Sequence, residues 1–330
     1  VHTMSFQDDL RRYGPESSTP ATRDEALAYC ARLAATHYEN FSVITWLTPR
    51  EHRPAFASIY GFCRWADDLG DEVGDPAESL RLLDWWRGEL RRMYDGEARH
   101  PVMIALAETV SRHEIPIAPF EALIDAFEQD QRVTEYQTFA QLLDYCVRSA
   151  NPVGHLVLHV AGAYSAENAA LSDETCSALQ LANFWQDVAR DLAIGRIYLP
   201  KEDRDRFGYP DSDLRSLRFT PEFAALLRFE VERARGMLER GRALVARIRG
   251  PLAVDVDLFS RGGLAILDRI EARGYDVLSS RPALGKWTKV ALLARAAVGL
   301  SLSRWRGAAP AAAPAVLERS AAGAPREARP

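Results

Sequence analysis

From Thr22 to about residue 305, apolar side chains recur every three or four positions, and no stretch alternates β-branched with polar residues between turns. That period belongs to helices buried along one face. It predicts helices over about 51–72, 77–95, 101–112, 118–130, 137–163, 171–193, 220–248, 251–273 and 283–305. One more is opened by the capping-box residues Thr22 and Glu25. Asp75-Pro76, Ile115-Pro116, Gly195 and Gly208-Tyr209-Pro210 punctuate the pattern where helices should end. Pro152 falls inside the 137–163 segment and should kink it. The fold class is therefore all-α. Residues 1–20 read as a loose, disordered arm, 21–306 as one helical domain, and the Ala/Pro-rich stretch 307–330 as a disordered tail.

Composition narrows this reading. With 47% hydrophobic and 26% charged residues, a chain of 330 residues can bury a sizeable core. A net charge of −5 argues against a nucleic-acid partner held by a broad basic surface. Cys30, Cys63, Cys146 and Cys176 stand far apart and form no CxxC pair, so neither a zinc site nor a disulfide framework is expected. The first twenty residues carry no apolar signal segment, and no apolar run reaches the roughly 20 residues of a membrane span. A cytoplasmic protein, at most peripheral at the inner membrane face, is expected. Residues 286–306 lack acidic groups and include Trp287 and Trp305. They read first as a core helix with basic ends, and second as a surface resting on anionic lipid.

Two segments carry chemistry. Phe56, Tyr60, Arg64, Asp67 and Asp71 form one helical stripe, apolar at its start and acidic at its end. Cys176, Gln180, Asn183, Asp187 and Asp191 form another. Two carboxylates at i, i+4 on an inward stripe repel each other and need a cation. One such pair is ordinarily a solvated helix end. Two facing pairs make a cavity wall with four carboxylates, suited to Mg2+, which takes carboxylate, water and phosphate oxygens. The implied chemistry is metal-assisted departure of a diphosphate inside a dry helical pocket. Asp68 and Glu72 lie round the helix from the stripe and are expected to tune the site or face water. A di-iron bundle would need Glu-x-x-His pairs, which the seven histidines do not supply.

These segments, with His37-Tyr-Glu-Asn-Phe41, Leu47-Thr-Pro49, Ile59 to Asp68, Tyr145 to Gly154 and Gly195-Arg-Ile-Tyr-Leu-Pro200, resemble the squalene/phytoene synthase family over about residues 24–305. The resemblance implies the all-α class I isoprenoid synthase fold, with Asp67, Asp71, Asp187 and Asp191 as Mg2+ ligands. It implies diphosphate-side roles for His37, Arg64, Arg196 and Tyr198, and a place for Tyr145 and Tyr198 near the reacting carbons. Gln180 and Asn183 become wall residues that position water. A buried structural histidine is the second reading for His37, and an ordinary core tyrosine the alternative for Tyr145.

Within the family the segments resemble the hydroxysqualene-forming branch. That branch turns presqualene diphosphate and water into hydroxysqualene and diphosphate, between a sister enzyme that makes the substrate and another that reduces the alcohol. Association with those pathway enzymes is a further expectation. Gln186 stands where condensing members carry Arg, Ser149-Ala150-Asn151 where they carry Val-Ala-Gly, and Asn40 where they carry Ser. Loss of the Arg and gain of amides fit a one-substrate reaction quenched by water, with Gln186 steering that water. The alternatives are a condensing enzyme that makes presqualene diphosphate, squalene or phytoene, and a non-catalytic assembly protein of the same fold.

Overall fold

The computed structural model describes residues 5–17, 21–36, 50–248 and 251–283. His37, the His37–Phe41 and Leu47–Pro49 segments, Asn40, the 286–306 stretch and the 307–330 tail lie outside the described residues. Among the described residues there is no strand, only an isolated parallel bridge between Glu135 and Ile197. Helices run α1 (Phe6–Tyr13), α2 (Arg23–Thr36), α3 (Arg53–Asp71), α4 (Pro76–Tyr94), α5 (Pro101–His113), α6 (Ala118–Asp130), α7 (Phe139–Ser149), α8 (Asn151–Val160) and α9 (Ala166–Ala193). They continue with α10 (Lys201–Arg206), α11 (Asp211–Arg215), α12 (Pro221–Gly241) and α13 (Pro251–Glu271), with a 3-10 turn over Arg242–Ala246.

The starts follow capping chemistry. Asp75, Thr138, Ser165 and Thr220 accept backbone N–H bonds at the heads of α4, α7, α9 and α12. The Thr22–Glu25 box forms at α2, where Glu25 accepts the Thr22 backbone N–H at 2.9 Å.

Two expectations are corrected. Residues 6–13, assigned to the loose arm, form α1. Ser5 and Asp8 close a capping box there, and Phe6, Leu10 and Tyr13 pack on the first core. Asp9 is buried and accepts the Tyr29 hydroxyl at 2.8 Å, which in turn accepts Trp65 Nε1 at 2.9 Å. That polar chain ties α1 to α2 and α3, and a capping box plus one satisfied acid outweigh the low apolar content of the arm. The 137–163 helix is divided rather than kinked. Ala150 closes α7 and opens α8, and Pro152 sits in the first turn of α8, where its missing N–H leaves no bond unmade. The short α10 and α11 have too few turns to show a period.

Two main apolar clusters organise the packing. The first joins α2 to α6 with α8, around Trp65, Trp86, Phe62 and Phe120. Trp65 and Trp86 stack at 5.4 Å. The second joins α7, α9, α12 and α13, around Trp185, Tyr209 and Phe223. Helix α9 is the central element, packed against α8, α12 and α13. Gly154 and Gly241 allow its neighbours to approach closely: a Cβ on Gly154 would lie 2.3 Å from Ser172 Oγ, and one on Gly241 2.2 Å from Thr175 Oγ1. No helix among the described residues is long and apolar enough to cross a membrane.

Candidate active site

A cavity of about 280 Å3 lies where α3, α6, α7 and α9 meet the segment after α9. Asp67 and Asp71 reach it from the end of α3, and Gln180, Asn183 and Asp191 from α9. Tyr145 comes from α7, and Arg196 and Tyr198 from the segment beyond α9. Leu123, Ala126, Phe127 and Phe184 supply the apolar part of the wall. The sequence stripes on α3 and α9 therefore face each other across one space.

Local structure explains the placement. The Phe56–Tyr60 part of the α3 stripe is buried, so the helix turns Asp67 and Asp71 inward about two and three turns beyond Tyr60. After α9, Gly195 takes a positive φ of 81° and reverses the chain. Ile197 then pairs with the 134–136 segment, its N–H bonding Thr134 O at 2.7 Å. This brings Arg196 back over α3, where it donates to Asp71 at 3.0 Å. Tyr198 stacks on Phe184 with ring centres 3.8 Å apart and planes 9° from parallel. The Tyr145 hydroxyl donates to Asp130 at 2.9 Å.

Arg64 does not border the cavity. It lies behind it and pairs with Asp67 at 3.2 Å, Glu72 at 3.1 Å and, most closely, Asp68. Asp68 does not face water, as one of its two expected roles required, but is the buried member of the motif.

Asp187 and Gln186 depart from the expected arrangement. Both are buried, but neither borders the cavity. Arg281, just beyond α13, takes the Asp187 carboxylate with two nitrogens, Nη2 donating at 2.9 Å. Gln186 donates to the Pro282 carbonyl and accepts from Arg281 at 3.4 Å. The expected ring of four motif carboxylates is thus a set of three, because a guanidinium with bidentate geometry holds the fourth. Gln186 is positioned to fasten the C-terminal segment rather than to steer water in the cavity.

Asp130 was not singled out in the sequence, yet it borders the cavity beside Tyr145. Leu123, Phe127 and Asp130 are spaced 4 and 3 on α6, an apolar stripe ending in an acid, the signature read on α3. Arg281 had no such signal, since its partner lies 94 positions away.

The carboxylates are crowded. Burial, with help from the Glu72 and Asp67 charges and against the pull of Arg64, pushes the Asp68 carboxyl up to about 8. Burial and the Asp187 charge raise Asp191 to about 7. Burial and Asp71 raise Asp67 to about 6, and burial raises Asp130 to about 6. Arg196 is held firmly protonated by Asp130, Tyr198 and Asp71, against the cost of its own burial. Burial also drives the Tyr145 and Tyr198 hydroxyls upward, so both stay protonated at neutral pH.

These shifts set a stability profile. A carboxyl raised in the folded state favours folding most while protonated in both states, and that advantage fades as pH climbs through its folded value. The metal-free protein should therefore melt lower at pH 8 than at pH 5, by roughly 5 °C. Mg2+ with inorganic diphosphate should reverse the trend at pH 8. Scanning calorimetry at the two pH values checks this, and a higher midpoint at pH 8 without metal would contradict it.

The donor set fits a hard divalent cation. It is all oxygen, and Asp191 Oδ2 is buried without a hydrogen-bond partner. Among the described residues, no three His, Cys, Asp or Glu side chains converge closely enough to hold a metal unaided. Water and phosphate oxygens would complete the shell, as is ordinary for Mg2+.

A helical bundle whose cavity carries acids at one end and aromatic and aliphatic walls beyond defines an isoprenoid-synthase-type fold, and similarity to known proteins gives the family. Residues 34–288 match the squalene/phytoene synthase family, and the chain belongs to it. This is a family acting on prenyl diphosphates. A phytoene synthase of Arthrospira platensis is 33% identical over 296 residues, covering 84% of this chain and 94% of its own. A 15-cis-phytoene synthase of Synechococcus elongatus is 32% identical, covering 83% and 92%. Among solved structures, the squalene synthase HpnC from Alicyclobacillus acidocaldarius is 44% identical with a TM-score of 0.74, covering 78% of this chain and 98% of that one. A ligand-bound dehydrosqualene synthase shares the fold at a TM-score of 0.76 and 23% identity, covering 85% and 98%.

Proposed function

We propose that the protein is a hydroxysqualene synthase. It ionises presqualene diphosphate, lets the cyclopropylcarbinyl cation rearrange, and captures it with water to release hydroxysqualene and diphosphate. The observation that carries this reading is the mixed character of the cavity wall. Gln180 and Asn183 border it from α9 and Leu123, Ala126 and Phe127 from α6, together with Asp67, Asp71, Asp130 and Asp191. A wall that holds water beside an apolar chamber suits quenching, whereas a wholly dry wall suits proton loss.

Each group then has a task. Asp67, Asp71 and Asp191 would hold Mg2+, which when bound neutralises charge developing on the departing diphosphate. Arg196 offers guanidinium donors at the same end and keeps them oriented through Asp71. Tyr198 and Phe184 stack on each other, and the outer face of the pair presents π density toward a cationic carbon. Tyr145, fixed by Asp130, holds its ring in the wall and its proton away from the cation. The amides of Gln180 and Asn183 orient water.

A condensing reading is favoured by the names of the cyanobacterial relatives, which are phytoene synthases. One assay separates the two. Full-length protein with Mg2+ is given presqualene diphosphate or farnesyl diphosphate without NADPH, and the extracts are read by mass spectrometry. Hydroxysqualene from the first with the second untouched is the expected outcome. Consumption of farnesyl diphosphate would establish a condensing enzyme, and inertness toward both an assembly role.

A further inference from the structure

The triplet Ser149-Ala150-Asn151 spans the break between α7 and α8, and the structure sends its two polar side chains to different places. Asn151 is buried between helices, its Oδ1 accepting the Ser177 hydroxyl at 2.9 Å. It does not border the cavity. Ser149, the last residue of α7, does. Its Oγ is buried and has no hydrogen-bond partner. A serine near the end of a helix ordinarily donates to the carbonyl one turn back. Ser149 makes no such bond, so its hydroxyl is left for something inside the cavity.

The surroundings narrow what that is. Tyr145 lies one turn earlier on the same face, but its hydroxyl is committed to Asp130 at 2.9 Å. Leu123, Ala126 and Phe127 offer no polar atom on the near wall. Gln180 and Asn183 border the same space from α9. A buried water needs about two to four polar partners. Ser149, Gln180 and Asn183 border one chamber with the acids Asp67, Asp71, Asp130 and Asp191, and an unbonded hydroxyl with two uncharged amides is such a set.

We propose that Ser149 Oγ seats the water that captures the carbocation, and so decides between alcohol and hydrocarbon product. The inference rests on the hydroxysqualene reading above. The bond from carbon to diphosphate oxygen breaks first, and its electron pair leaves with the diphosphate. The rearranged allylic cation accepts a lone pair from the seated water, forming the new C–O bond. The surplus proton passes to the released diphosphate, the base nearest to hand. Without a seated water the cation loses a proton from an adjacent carbon to the same diphosphate, and an alkene results. Ser149 is thus a specificity-determining group rather than part of the ionising machinery.

The test compares Ser149→Ala and Ser149→Thr with the unaltered full-length protein. Each is given Mg2+ and presqualene diphosphate in 18O-labelled water, and the ratio of labelled alcohol to hydrocarbon is read by mass spectrometry. That ratio is internal to each reaction, so a loss of total turnover does not obscure it. Ser149→Ala should move it about tenfold toward hydrocarbon, and Ser149→Thr, which keeps the hydroxyl, should hold it within about twofold. An alanine variant whose ratio stays within twofold, while the unaltered protein makes alcohol, overturns the role of Ser149 and leaves the hydroxysqualene reading intact. Unaltered protein that makes no alcohol overturns that reading itself.

Discussion

Asp191→Asn is expected to lower kcat/KM by roughly 10³-fold at saturating Mg2+, because the stabilisation of a developing diphosphate charge depends on anionic ligands at fixed positions. Asparagine preserves shape and removes only the charge. Asp191 is the informative choice because its Oδ2 has no protein partner to lose. Asp71, by contrast, also holds Arg196 at 3.0 Å, so its removal would disturb two groups at once. The stability effect should run the other way. Burial and Asp187 raise the Asp191 carboxyl to about 7, so ionising it at pH 8 costs the folded state. The asparagine variant should melt at or above the midpoint of the unaltered protein in the absence of metal. Diphosphate release and calorimetry on the same preparation check both halves. Retention of more than about a tenth of the activity would remove Asp191 from the ionising site.

The second large effect is on stability. Arg204 is fully buried and reaches three acceptors: Glu135, Asp211 and the Leu199 carbonyl, the last at 3.2 Å. Glu135 and Leu199 belong to the segments that carry Ile197 and Tyr198 back over the cavity, and Asp211 opens α11. Arg204→Met fills much of the volume but leaves the acids without their cation. Removing one partner of a wholly buried pair costs about 3–5 kcal/mol. Glu135 and Asp211 retain some solvent, which reduces the cost to about 2–3 kcal/mol. The midpoint should therefore fall by about 3–5 °C. KM for the diphosphate substrate should also rise, because Arg196 and Tyr198 lose their backing. A midpoint shift with unchanged KM would confine Arg204 to stability alone.

The two DxxxD stripes were legible because one continues an apolar helical face and the other a face of small and amide side chains, and an inward face that turns acidic needs a ligand. Asp130 follows the same rule on α6, though a single acid at a helix end looks like ordinary solvation. The fate of Asp187 was hidden because a guanidinium 94 positions away takes it. Spacing shows which face a residue is on, not which distant partner reaches it first. The same limit concealed Ser149: its position beside a helix break is visible in sequence, but its lack of a partner is a fact of packing. Helix α1 went unread because it is short and set among polar and proline residues, although Phe6, Leu10 and Tyr13, spaced 4 and 3, pack on the first core behind a capping box.

The cavity is a seam between two cores, and a seam has mechanics of its own. Asp67 and Asp71 ride on the cluster around Trp65 and Trp86, whereas Asp191 rides on the cluster around Trp185. The span across the acids is therefore set by how the halves sit on each other, not by the rigidity of either helix. Among the described residues, the first half carries Trp65, Trp85 and Trp86, with Trp65 and Trp86 stacked, and the second carries the buried Trp185. Among the described residues, indoles thus stand on each side of the joint along which the acids gather.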